Sequence, residues 1–98
     1  MRGRVSFHRL AEEELNDAAQ YYEHVSSGFG AAFLDEAARA VQQILEFPEA
    51  APEVSAGVRR KLMRRFPYGV LYSIREHDIR ILAIMNLRRR PFYWRGRS

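Results

Sequence analysis

The sequence predicts an α+β fold with the order β-α-α-β-β-β, in which a helical hairpin packs on one face of a small, mainly antiparallel, twisted sheet. Three observations carry this expectation. Between residues 9 and 47 the apolar residues recur at spacings of three and four, the period of a helix lying on a core. From residue 68 onward they alternate at a spacing of two, the period of a strand. The helical stretches are segregated from the later strands, and those strands are joined by short turns, which suits an antiparallel meander covered by helices.

The first element is short. Residues 4–7, "RVSF", alternate like an edge strand with Val5 and Phe7 on one face. In "LAEEELNDAAQYYEHV" the stripe Ala11, Leu15, Ala18, Tyr22 and Val25 predicts a helix over residues 9–25, with Glu12, Glu13 and Glu14 in the first turns where the helix dipole favours acids. "SSG" follows as a turn, and Ser26 or Ser27 is available to cap the next helix. A second stripe of Phe33, Ala37, Val41, Ile44 and Leu45 predicts a helix over residues 29–47, ended by Pro48. Two antiparallel helices joined by so few residues form a helical hairpin.

"PEAAPEVSAG", with Pro48, Pro52 and Gly57, reads as a loop, and "VRRKLMRR" as a basic strand of poor alternation. Tyr68, Val70, Tyr72 and Ile74 then alternate with Gly69, Leu71, Ser73 and Arg75, and "REHD" turns the chain into "IRILAIMNL". In that last strand Ile79, Ile81, Ala83 and Met85 are expected on one face, with Leu82 and Ile84 on the other. A strand apolar on both faces belongs in the centre of the sheet. The face away from the helices and the C-terminal tail are left for function.

At 98 residues and 47% hydrophobic content, residues 1–98 are expected to form one domain with a small core that gains from a partner. The absence of cysteine excludes a disulfide scaffold, a cysteine nucleophile and thiolate metal sites, and is compatible with a reducing cytoplasm. No apolar run approaches the roughly 18 residues of a membrane span, and "MRGRVSFHRL" has no signal-like apolar region, so a soluble cytoplasmic protein without a membrane partner is expected. Charge is segregated along the chain. Residues 8–47 carry eight acids against two bases, whereas residues 58–98 carry twelve bases against two acids. Nearly all the bases are arginine, suited to bidentate contact with phosphate or carboxylate, and their clustering points to nucleic acid or an acidic protein surface as target.

Most catalytic classes lack their residues. There is no Gly-rich phosphate loop, no G-x-S-x-G and no histidine pair at metal-ligand spacing, and no cofactor, metal or small-molecule substrate is expected. Adjacent helical residues point to different faces, so Glu12–Glu14 read as a solvated first turn rather than as a metal site. His77 falls in the hairpin turn and His24 near the end of the first helix, neither an obvious catalytic position. Tyr22 lies on the apolar stripe and reads as core, as do Phe66 and Tyr68, while Trp94 with Phe92 reads as an anchor for the tail.

Together, the element order, "RFPYGVLY" leading into a hairpin, and the "IRILAIMNLRRRPFYW" ending resemble the RelE/ParE superfamily of bacterial toxin-antitoxin toxins over nearly the whole chain. The resemblance implies two branches. RelE-like toxins are ribosome-dependent mRNA endoribonucleases; ParE-like toxins poison DNA gyrase and lack that catalytic set. The arginine of the nuclease branch would fall at Gly69, its strand lysines near Arg60 and Leu62, its C-terminal arginine at Arg88 or Arg89, and its final tyrosine loosely at Tyr93. A histidine that many relatives carry before the arginines is replaced by Asn86.

These replacements matter chemically. Cleavage by a 2′-hydroxyl needs a base and an acid, and arginine readily serves as neither. A nuclease would have to be built from Arg60, Arg64, Arg89 and Tyr93, with the arginines lowering the pKa of Tyr93 or Tyr68. The expected function is therefore a ParE-like toxin that inhibits DNA gyrase without being an enzyme, is neutralised by a cognate antitoxin, and uses Arg60, Arg64, Arg65, Arg88, Arg89, Arg90 and Tyr93 as its target-binding surface. The alternatives are a RelE-like ribosome-dependent nuclease and a non-toxic basic nucleic-acid-binding module.

Overall fold

The computed structural model describes residues 3–98. Strand β1 (Val5–Phe7) leads into helix α1 (Arg9–Val25), helix α2 (Phe29–Glu46), and strands β2 (Glu53–Ser55), β3 (Val58–Leu62), β4 (Tyr68–Arg75) and β5 (Asp78–Asn86). The expected order of elements is present, with one addition: the loop after α2 contains the three-residue strand β2, which pairs with β3 through Glu53 and Ser55. So short a strand has no readable period, and only its partner across the turn defines it.

The sheet runs β1-β5-β4-β3-β2, with β1 at an edge, parallel to β5, and every other neighbour antiparallel. Residues Val5 and Phe7 pack toward the helices as expected. Between sheet and helices lies the main core, centred on Phe33, Ile44, Val70, Tyr72, Ile81 and Ile84. An aromatic cluster closes one end of it: Tyr22 meets Phe66 at 4.8 Å between ring centroids, and Phe33 meets Tyr68 at 4.9 Å. Both contacts are edge-on, the arrangement the ring quadrupoles favour. Burial of Tyr72 brings its hydroxyl within reach of the Pro48 carbonyl, to which it donates at 2.5 Å.

Three local expectations are corrected. Val25 is 57% exposed, because it ends α1 where the chain enters the exposed turn of residues 26–28. Neither Ser26 nor Ser27 caps α2. Its N-cap is Gly28, at φ 91°, and the Glu23 carboxylate reaches forward to accept the N–H groups of Gly28 and Gly30 at 3.1 and 3.0 Å. A left-handed backbone at this position favours glycine, which offers no capping side chain, so an acid from the preceding helix supplies the acceptor.

The third correction concerns β5. Its pairing with β4 slips between Leu71↔Ala83 and Tyr72↔Ile81, leaving Leu82 as an extra residue. A single inserted residue reverses the parity of the alternation beyond it. Ile79, Ile81 and Ile84 therefore face the helices, whereas Ala83 and Met85 face the other side. There they join Leu71 and Trp94 in a second, smaller core against which Val54, Val58 and Tyr93 pack. The face expected to be free is thus partly covered by the C-terminal tail. Trp94, 4% exposed, is its anchor, while Phe92 lies against the indole but stays 40% exposed.

Candidate functional site: a basic end of the sheet

At one end of the sheet β3 finishes, β4 begins and β5 finishes, so the loops flanking these strands lie side by side. The Leu87 N–H donates to the Pro67 carbonyl at 2.9 Å and ties the loop bearing Arg64 and Arg65 to the turn bearing Arg88, Arg89 and Arg90. All five arginines are exposed. Arg60 projects from β3 toward the same end on the tail side, where its pairing register places it opposite Leu71.

Each loop is fixed through backbone hydrogen bonds rather than through its guanidinium groups. One oxygen of Glu36, a residue only 6% exposed, accepts the N–H groups of Arg64 and Arg65 at 2.7 and 2.6 Å. The Arg65 N–H, chiefly, and that of Arg64 hold this carboxyl below its ordinary pKa against the opposing effect of burial. On the other loop Asn86 does the corresponding work: its side-chain oxygen accepts the Arg88 N–H at 2.9 Å and its carbonyl accepts the Arg89 N–H at 2.9 Å. Asn86, where the resemblance implied a histidine in many relatives, is thus a turn-capping group, with its amide nitrogen donating to the Tyr68 hydroxyl at 3.4 Å.

Gly69 also has a local explanation. A Cβ there would come within 3.0 Å of Arg60 Cγ and 3.2 Å of Cδ, so the missing side chain makes room for the Arg60 stem. Arg60 is partly buried, and its Nε makes no hydrogen bond. Its neighbour Arg59 serves the fold instead, donating to the carbonyls of Glu49 at 2.9 Å and Ala51 at 2.6 Å.

Tyr93 lies beneath the basic turn, with the Arg89 guanidinium 4.0 Å from its ring centroid and that of Arg97 at 5.1 Å. Its hydroxyl is buried. Burial pushes the Tyr93 pKa strongly upward, and the Glu14 carboxylate adds to the rise against the smaller opposing effect of Arg97 and Arg89. Tyr68 is likewise raised, by burial. The lowering a nuclease would need is not found: burial outweighs Arg97 and Arg89 at Tyr93, and outweighs the Asn86 hydrogen bond at Tyr68. His77, on the turn between β4 and β5, lies at the opposite end of the sheet, and His24 is exposed near the end of α1. Among the described residues no group of three or more His, Cys, Asp and Glu side chains is placed to hold a metal ion. Among the described residues no helix is long and apolar enough to cross a membrane.

The family of ParE toxins of type II toxin-antitoxin systems, parDE, matches residues 5–91. The chain belongs to the ParE toxin family. Among solved structures it is similar to a chain of the chromosomal ParDE toxin-antitoxin system from P. aeruginosa, with a TM-score of 0.77 at 18% identity, over 89% of this chain and 97% of that one. A comparison with curated proteins found no match. As a ParE-family surface, the arginine-bearing end can bind phosphates or carboxylates in bidentate fashion, while the phenols beside it are poorly suited to exchange protons.

Two acids and an arginine that anchor this region, Glu14, Glu36 and Arg97, were not among the sequence candidates. A signal for the acids was present. Glu14 stands three residues after Ala11 and four before Ala18, and Glu36 three after Phe33 and four before Ala40, so both occupy buried-stripe positions. An acid on an apolar stripe announces a buried partner.

Proposed function

We propose that this ParE-family chain is a cytoplasmic toxin that arrests growth by binding and inhibiting DNA gyrase, and that a cognate antitoxin neutralises it. Arg60, Arg64, Arg65, Arg88, Arg89 and Arg90 form the target-binding surface, with Tyr93 as the platform under Arg89. The observation that carries the choice of a protein target over RNA cleavage is the state of Tyr93. A nuclease built on these arginines needs a phenol that trades protons near neutral pH, and burial beside Glu14 moves this one the wrong way.

An antitoxin also has a place to dock. A groove of about 520 Å³ lies between the end of α2 and β3, lined by Ile44, Ala51 and Tyr72 among others, and exposed Phe47 and Leu62 stand on its rim. Exposed apolar surface of this kind gains from a covering partner.

The test is a plasmid supercoiling and cleavage assay with purified gyrase, run beside a ribosome and mRNA cleavage assay. Inhibition of gyrase with intact mRNA, lost in Arg89→Glu while the circular dichroism spectrum is unchanged, is the expected result. Codon-positioned mRNA cuts with unaffected gyrase would overturn the proposal in favour of a nuclease. Tight, salt-sensitive DNA binding without toxicity would overturn it in favour of a simple nucleic-acid-binding module.

A further inference from the structure

Strand β1 ends at Phe7, and beyond that point two backbone groups of β5 are satisfied by side chains from outside the sheet. The Ile84 N–H donates to Glu14 Oε1 at 3.0 Å, and the Leu82 carbonyl, at the bulge, accepts from Arg97 Nη1 at 3.0 Å. Those two side chains are also joined to each other. Arg97 Nη1 meets Glu14 Oε1 at 3.0 Å and Nη2 meets Oε2 at 2.9 Å, a bidentate pair with side chains only 12% and 17% exposed. One ion pair therefore fastens α1, β5 and the C-terminal tail together. The guanidinium of Arg97 lies against Tyr93, and the same ring carries Arg89.

The geometry points to Glu14 and Arg97 as positioning residues: their ion pair latches the tail so that Tyr93 stays under Arg89 and the basic turn is held in its target-binding arrangement. The role rests on the reading that this turn contacts the target. Tyr93 transmits the constraint because its ring is shared by two guanidinium groups, and a side chain stacked on a fixed ring keeps one orientation where a free arginine samples many. The Leu82 bulge contributes by presenting the carbonyl that Arg97 uses, which ties the latch to the register of β5.

The full chain is tested as wild type, Glu14→Gln and Arg97→Gln. Glutamine at position 14 keeps an oxygen for the Ile84 N–H while removing the charge that Arg97 grips. Two quantities are read: the nuclear magnetic resonance of the Arg89 side-chain N–H, displaced in the wild type by the ring current of Tyr93, and the concentration that half-inhibits gyrase supercoiling. Ile44→Val, a core change remote from the latch, serves as the control for general destabilisation. The expected result is that both latch variants retain a folded amide spectrum, lose the ring-current displacement of Arg89, and weaken inhibition by roughly tenfold or more, while Ile44→Val keeps both readouts. An undisplaced wild-type signal, latch variants that keep the displacement, or unchanged inhibition by them would overturn the inference. Absence of gyrase inhibition by the wild type would instead sink the reading on which the role rests, and the Arg89 resonance would then decide by itself whether the latch positions the turn.

Discussion

Glu36 Oε1 accepts the backbone N–H of Arg65 at 2.6 Å, across 29 positions of sequence, and so joins the middle of α2 to the basic loop before β4. The same oxygen holds Arg64. Replacing Glu36 by Ala leaves two N–H groups without their charged acceptor, and a loss of about 2 kcal/mol is expected in urea denaturation. Glu36→Gln, which keeps an oxygen but not the charge, is expected to lose less.

The same contact sets a pH dependence. The Glu36 carboxyl is held below its ordinary value of 4.5 in the folded chain, so the folded state favours the ionised form. Its contribution is complete above the unfolded value and is lost as pH falls from about 4.5 through the lowered folded value. Denaturation curves taken across that acid window are expected to fall more steeply for the wild type than for Glu36→Gln.

Glu23 caps α2 from the preceding helix, so Glu23→Ala is expected to cost about 1 kcal/mol by removing acceptors from Gly28 and Gly30. Ser26→Ala and Ser27→Ala are expected to be nearly neutral. Thermal melts of the three variants check the ranking, and an equal loss at Ser27 would contradict the observed cap.

Trp94 closes the second core against Leu71, Ala83 and Met85. Trp94→Ala is expected to lose about 3 kcal/mol, and the exposed Phe92→Ala less than about 1 kcal/mol. Denaturant titration separates the two, since only the first opens a cavity under the tail.

Tyr93→Phe keeps the ring that carries Arg89 and removes only the buried hydroxyl. Gyrase inhibition and growth arrest are expected to persist unchanged in this variant. Loss of toxicity with the fold retained would assign the hydroxyl a chemical role and favour cleavage of RNA.

Local patterning in the sequence determined much of this protein. The stripes at three and four, bounded by a glycine turn and Pro48, placed the helices within a residue of α1 (Arg9–Val25) and α2 (Phe29–Glu46), and the alternation after residue 68 placed β4 and β5. The cluster of arginines at 88–90 and the segregation of charge are likewise properties of the chain alone. The "RFPYGVLY" and "RRRPFYW" segments carried the resemblance to the toxin superfamily that the family match bears out. Tertiary structure decided the rest, because those features depend on residues far apart in sequence. The Leu82 bulge is defined only against β4, yet it reversed the facing of Ala83 and Met85 and created the surface that the tail covers. Strand β2 exists only through β3. Glu14 meets Arg97 across 83 positions and Glu36 meets Arg64 across 28, so an acid that local pattern reads as solvated, or leaves unremarked on a stripe, becomes the anchor of a basic loop. Burial likewise reversed the expected acidity of Tyr93, since desolvation is a property of the packed chain and no neighbour in sequence reports it.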